Sequence, residues 1–229
     1  TFTDDPGVGN TNLFPNYEGL SAWNANFQGS GTPFEDPNIL NMIVLDSTFN
    51  NANNRGDFTT IFNASTEFSN FAAAGMRISK PKNTTFENCH FDNSISTFPN
   101  PAFVAGASIG GMENGNFISC TFNGSRCIGS SLGVQFGPGT TQDLPPKSGK
   151  NVRFISCTAN DIQQIRNLQL PAPVLTTNSQ ALGYFIIGIK NLIFENCTAQ
   201  DIDTNGPIST NGGAIGWQIQ SGSDVAPEF

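Results

Sequence analysis

The chain has 229 residues, of which 37% are apolar and only 12% charged, with a net charge of −8. Its ten basic residues are scattered singly, which leaves no footprint for nucleic acid or an anionic membrane. No apolar run reaches the ~18 residues a membrane-spanning helix needs, and the wealth of Asn, Ser, Thr and Gly favours short strands and tight corners over helices.

Residues 1–40 carry Phe2, Phe14, Tyr17, Trp23, Phe27 and Phe34 among Gly, Pro and Asn, without any repeat. Opening at Thr1 rather than Met is expected of a mature or trimmed fragment. From Asn41 onward a nine-residue pattern, Asn-x-x-Phe-x-x-Cys-x-(Phe/Ala), organises the chain. It reads Asn83/Phe86/Cys89/Phe91, Asn114/Phe117/Cys120/Phe122, Asn151/Phe154/Cys157/Ala159 and Asn191/Phe194/Cys197/Ala199, with a weaker copy at Asn41/Val44/Ser47/Phe49. The copies start 42, 31, 37 and 40 residues apart, so the unit is constant and the connection is not.

Within a unit, Leu192 and Phe194 share one strand face, as do Val152/Phe154, Thr84/Phe86, Gly115/Phe117 and Met42/Val44. The odd step from Phe to Cys requires a corner, predicted at Glu87-Asn88, Ile118-Ser119, Glu195-Asn196 and Asp46-Ser47. A second short strand is expected at Cys-Thr-Phe-Asn. A third, Gly-x-x-Ile or Gly-x-x-Phe, precedes each unit at Gly75, Gly106, Gly133 and Gly183, and Gly212 begins a sixth turn. The expected fold is all-β: a right-handed parallel β-helix over residues 41–229, of about five to six coils with three short strands each, with residues 1–40 as an N-terminal cap over the open end. A β-sandwich is the alternative; it does not explain why Asn, Phe and Cys return together.

The Asn column (Asn41, Asn83, Asn114, Asn151, Asn191) is expected to bond along itself at a corner. The cysteines read as buried, reduced filler rather than a disulfide framework or zinc site. Two outward columns follow them. Thr48, His90, Thr121, Thr158 and Thr198 form the first, and Asn50, Asp92, Asn123, Asn160 and Gln200 the second. Of these, Thr121, Thr158, Thr198, Asn123 and Asn160 are the candidate ligand-binding residues, suited to hydrogen-bonding a sugar chain. His90 interrupts the Thr column, and nothing in the sequence marks it as base or ligand. For catalysis the register offers one acid pair, Asp161 and Asp201, expected within ~5 Å of each other, with Asp203 nearby. Such a pair shares a proton, binds a cation such as calcium, or splays into solvent. No cofactor is expected; calcium, at Asp161 and Asp201, is the one this pair would admit.

The repeat and the Gly-x-x-Ile strand together resemble the right-handed parallel β-helix, or pectin-lyase-like, superfamily over roughly residues 38–220. That superfamily spans lyases, hydrolases, tailspikes and adhesins. The resemblance to its pectate lyases implies calcium-binding Asp and an Arg base on one outward strand face. The matching positions here are Arg77, Ser108, Gln135 and Phe185, of which only Arg77 is of the right type. Phe194-Glu-Asn-Cys-Thr-Ala followed by Gly212-Gly-Ala-Ile215 also resembles the repeats of chlamydial polymorphic membrane proteins, whose passengers are implied in adhesion. Gly-Gly-Ala-Ile occurs once, however, and Cys stands where that family has Asn. The expectation is a non-catalytic adhesion or glycan-recognition module, extracellular or on a cell surface, whose partner is a carbohydrate or a host or cell-surface component. A polysaccharide lyase or glycoside hydrolase is the alternative, and a structural surface or virion component the next.

Overall fold

The computed structural model describes residues 17–22, 40–54, 71–79, 81–96, 103–127, 129–137, 149–165, 180–204 and 213–220. Among these residues the chain is strand without helix. In chain order the strands are β1 (Tyr17–Ala22), β2 (Ile43–Leu45), β3 (Asn53–Asn54), β4 (Phe71–Ser79), β5 (Lys82–Glu87), β6 (Ile95–Ser96), β7 (Phe103–Gly110), β8 (Glu113–Ile118), β9 (Arg126–Cys127), β10 (Ser130–Gly137), β11 (Gly149–Ile155), β12 (Ile162–Gln164), β13 (Ala181–Ile187), β14 (Ile189–Glu195), β15 (Ile202–Thr204) and β16 (Ala214–Gln220).

They form a six-stranded sheet ordered β1-β4-β7-β10-β13-β16 and two five-stranded sheets, β14-β11-β8-β5-β2 and β15-β12-β9-β6-β3. Successive strands visit the three sheets in rotation. Every strand pairing described is parallel, which removes the sandwich alternative, built from antiparallel strands. The topology is compatible with a β-helix or related solenoid.

Corners explain the pattern. Three columns of non-regular backbone punctuate each repeat, all with positive φ. The first is the Asn column, at φ 53° to 58°. The second is Asp46, Asn88, Ser119, Ser156 and Asn196, and the third is Asn51, Asn93, Gly124, Asp161 and Asp201. Asn, Asp and Gly tolerate this left-handed conformation because a short polar side chain can bond locally or a Cβ is missing. The second corner therefore falls on Asp46 itself, with Leu45 paired to Glu87, one residue before the predicted Asp46-Ser47.

The third corner also displaces the second short strand expected of each unit. Cys-Thr-Phe-Asn was expected to be a strand; it contributes only isolated parallel bridges, Thr48↔His90, His90↔Thr121, Thr121↔Thr158 and Thr158↔Thr198. The third sheet lies beyond it, at β3, β6, β9, β12 and β15. Tyr17–Ala22, inside the stretch read as a cap, adds a strand to the first sheet, with Tyr17 opposite Ala73 and Ala22 opposite Ile78. The remainder of that stretch before Leu40 lies outside the described residues.

Inward positions build the core. Phe86, Phe117, Phe154 and Phe194 stack along one column, with ring centroids 5.1, 4.8 and 5.0 Å apart. Phe49, Phe91 and Phe122 stack along a second, at 5.3 and 5.4 Å. Where that second column shrinks to Ala159 and Ala199, Tyr184 and Trp217 stack at 4.2 Å and meet Phe194 edge-on. Size is thus traded between columns, as a close-packed interior requires. Ala105, Leu132 and Leu182 form a separate buried cluster, with Phe185 against it.

The Asn ladder runs as expected. Each Nδ2 donates to the Oδ1 of the preceding repeat, at 2.8–3.0 Å from Asn83 through Asn191. Asn151 therefore holds two ladder bonds and a φ of 55°. Asn151→Ala should cost about 1–2 kcal/mol, because alanine loses the bonds and adopts this backbone poorly. Asn151→Gly, which loses only the bonds, should cost less. Equilibrium urea denaturation of both variants separates the two contributions.

Candidate functional site

The Thr and Asn columns lie side by side just after the Cys corner, and their side chains are bonded to one another. Asn123 Oδ1 accepts from the backbone N of Asn160 (2.8 Å) and from Thr158 Oγ1 (3.2 Å). Asn160 Oδ1 repeats this one unit on, with Gln200 N at 3.1 Å and Thr198 Oγ1 at 3.5 Å. Asn50 Oδ1 accepts from Asp92 N at 2.8 Å. All five candidate ligand-binding residues, Thr121, Thr158, Thr198, Asn123 and Asn160, are thus brought together in one ladder. Its amide oxygens already serve the fold by capping the next repeat's backbone.

One tier departs from this rule. Asp92 uses both carboxylate oxygens, Oδ1 for Asn123 N (2.7 Å) and Oδ2 for the Thr121 hydroxyl (2.8 Å). Thr121 Oγ1 also lies 2.8 Å from His90 Nδ1, and that nitrogen is 3.9 Å from Asp92 Oδ2. The sequence placed His90 in the Thr column but could not show this linked trio.

The acid pair lies at a corner. Asp161 and Asp201 do occupy equivalent positions, but that position is the third corner, with φ of 56° and 53°. Asp161 Oδ2 is bonded by the Arg126 guanidinium, and its Oδ1 accepts from Gln163 Nε2 at 2.7 Å. Arg126 Nε reaches Gln163 Oε1 at 3.4 Å, closing a three-membered cluster on the third sheet. Asp201 and Asp203 are exposed, and Asp203 sits opposite Gln163 in register. Among the described residues no group of three or more His, Cys, Asp or Glu side chains is placed to hold a metal ion. Arg126 lies on the two-residue strand β9, outside the nine-residue pattern; Gly124 and Asp161, the corner residues just before β9 and β12, were the available signal.

The outward face of the second sheet carries one ion network. Glu113 Oε1 lies 2.9 Å from Lys150 Nζ and 3.6 Å from Lys82 Nζ. The hydrogen bond from Lys150 holds the Glu113 carboxyl below the usual carboxylate range. On the first sheet the column Arg77, Ser108, Gln135, Phe185 is in register as expected.

All five cysteines are free, and only Cys197 is not fully buried. Burial pushes the Cys127 thiol up to about 12. The hydrogen bond with Cys120 first, and burial with it, push the Cys157 thiol up to about 12. Neither is a nucleophile at neutral pH, because the thiolate is the reactive form. Ellman's reagent should react with at most Cys197 in the native protein and with all five thiols after unfolding. Fast reaction of more than one native thiol would contradict the packing described.

The fold and these clusters define an all-β protein of parallel sheets with a self-bonded polar ladder on its surface. Comparison with protein-family models, with curated proteins and with solved structures finds no match.

Proposed function

We propose that the chain is a right-handed parallel β-helix of about five to six coils, capped by residues 1–40, in the manner of the pectin-lyase-like superfamily. In this reading it serves as a non-catalytic, surface-exposed or secreted module for adhesion or glycan recognition. The observation that carries it is the half-buried ladder of Thr and Asn, repeated once per unit with Asp92 its only carboxylate. A column of hydroxyls and amides at strand spacing, ~4.8 Å, presents a linear polar track that suits a hydroxyl-rich chain. Against a catalytic role for Asp161, both its carboxylate oxygens are already engaged, by Arg126 and Gln163.

An array of immobilised oligosaccharides tests the reading. Retention of the protein on a defined subset of sugars, without release of unsaturated or new reducing-end products, is the expected outcome. Product release abolished by Asp201→Asn would instead establish a lyase or hydrolase. Self-assembly with no sugar retained would point to a structural surface component.

A further inference from the structure

His90 and Asp92 are coincident departures. His90 is the chain's one histidine, in a column otherwise made of Thr48, Thr121, Thr158 and Thr198. Asp92 stands in the same tier, in a column otherwise made of Asn50, Asn123, Asn160 and Gln200. A threonine at position 90 would be placed to donate its hydroxyl to Asn50 Oδ1, as Thr158 and Thr198 do to Asn123 and Asn160. The imidazole gives up that bond and gains another, to Thr121.

The direction of the bonds sets the proton's place on the ring. A carboxylate oxygen only accepts, so the Thr121 hydroxyl donates to Asp92 Oδ2 at 2.8 Å. Only lone pairs on that hydroxyl remain to face His90 Nδ1, 2.8 Å away, so Nδ1 carries the hydrogen. The Thr121–Asp92 bond is shorter than the equivalent Thr158–Asn123 and Thr198–Asn160 bonds, 2.8 Å against 3.2 and 3.5 Å. In the neutral ring Nε2 is then an acceptor, held in place from behind, on a side chain 40% exposed to solvent.

We propose that His90 is the ligand-contacting residue of a subsite on this ladder, its Nε2 accepting a hydrogen bond from a hydroxyl of a neutral glycan. Thr121 and Asp92 act as positioning residues that fix the tautomer. The proposal rests on the recognition reading above, whose ladder otherwise offers amide oxygens already engaged in the fold. At this tier a side chain 40% exposed to solvent carries a further acceptor, Nε2.

The test pairs a ring readout with a binding readout. Long-range ¹H–¹⁵N NMR of the full chain, with the imidazole neutral, should show the Nδ1–H tautomer. In Thr121→Val the ring loses its anchor and should shift toward the Nε2–H form. His90→Thr makes the column all threonine and should fold as stably as the wild type. On immobilised neutral oligosaccharides of glucose, xylose, mannose and galactose, it should bind at least tenfold more weakly. A wild-type ring in the Nε2–H form, or equal binding by His90→Thr, overturns the subsite and leaves the recognition reading standing. If the wild type itself retains none of these sugars, the subsite is overturned, and retention of acidic sugars alone would keep the broader reading.

Discussion

Phe117→Ala should destabilise the protein by about 3–5 kcal/mol, the range for truncating a fully buried phenylalanine. Phe117 has no exposed surface and lies in the middle of its column. It stacks on Phe86 at 5.1 Å and on Phe154 at 4.8 Å, and meets Phe122 edge-on at 6.0 Å. Removing it leaves a void between two rings that cannot close, because each neighbour is fixed by its own strand pairing, Phe86↔Phe117↔Phe154. A truncation at Phe194 should cost less, since Phe194 is only partly buried. Urea midpoints for the two variants, measured with far-ultraviolet circular dichroism, check both the size and the order of the effects.

Gly133→Ala should be damaging although it only adds a methyl group. A Cβ there would lie 2.5 Å from the Gly183 carbonyl oxygen and 2.7 Å from Ala159 Cβ. Neither neighbour is a flexible chain end, so backbone must move. Overpacking of this kind costs typically about 1–3 kcal/mol. Gly106 is confined in the same way, 2.7 Å from the Phe91 carbonyl oxygen and 2.8 Å from that of Gly133. Gly216, in the same column one strand beyond Gly183, would meet nothing closer than 3.4 Å. Gly216→Ala should therefore be neutral, or stabilising by up to about 0.5 kcal/mol through the less flexible unfolded chain. Thermal denaturation of the pair decides the matter: equal effects at Gly133 and Gly216 would mean that close approach is not the reason for the glycine column.

The residues that were legible in the sequence are those whose role repeats. Asn, Phe and Cys recur in every full copy because a left-handed corner, a stacked core and a small buried filler are needed in every repeat. Their inward partners followed from strand alternation alone. The third sheet was not legible, because its strands are two or three residues long and carry at most one apolar residue each, Ile95, Cys127, Ile162 or Ile202. Such segments are too short for alternation to be read, and only their positive φ values align Asn51, Asn93, Gly124, Asp161 and Asp201 as one corner column. The acid pair at Asp161 and Asp201 belongs to that corner column: a carboxylate tolerates the left-handed corner much as Asn does. The separate apolar cluster of Ala105, Leu132 and Leu182 lies just before the glycines of the first-sheet strands, outside the repeat.

The candidate site was legible as a set of columns and not as a network. Register predicts that Thr121, Asp92 and His90 are neighbours. Which oxygen receives which hydrogen depends on an offset between adjacent repeats that a linear pattern does not contain. Once the offset is known, the same rule accounts for each tier, with Asp92 the exception because a carboxylate has two acceptor oxygens.

The most direct test of the account is a set of through-space amide contacts in a deuterated, ¹⁵N-labelled sample. The parallel register predicts contacts linking His90 to Thr121, Thr121 to Thr158 and Thr158 to Thr198, together with Phe86 to Phe117 and Phe117 to Phe154. Finding that series, all running in the same direction, would establish the stacked parallel arrangement on which the ladder and its proposed ligand depend. Antiparallel contacts across these segments, or none between residues 31 to 40 positions apart, would contradict it.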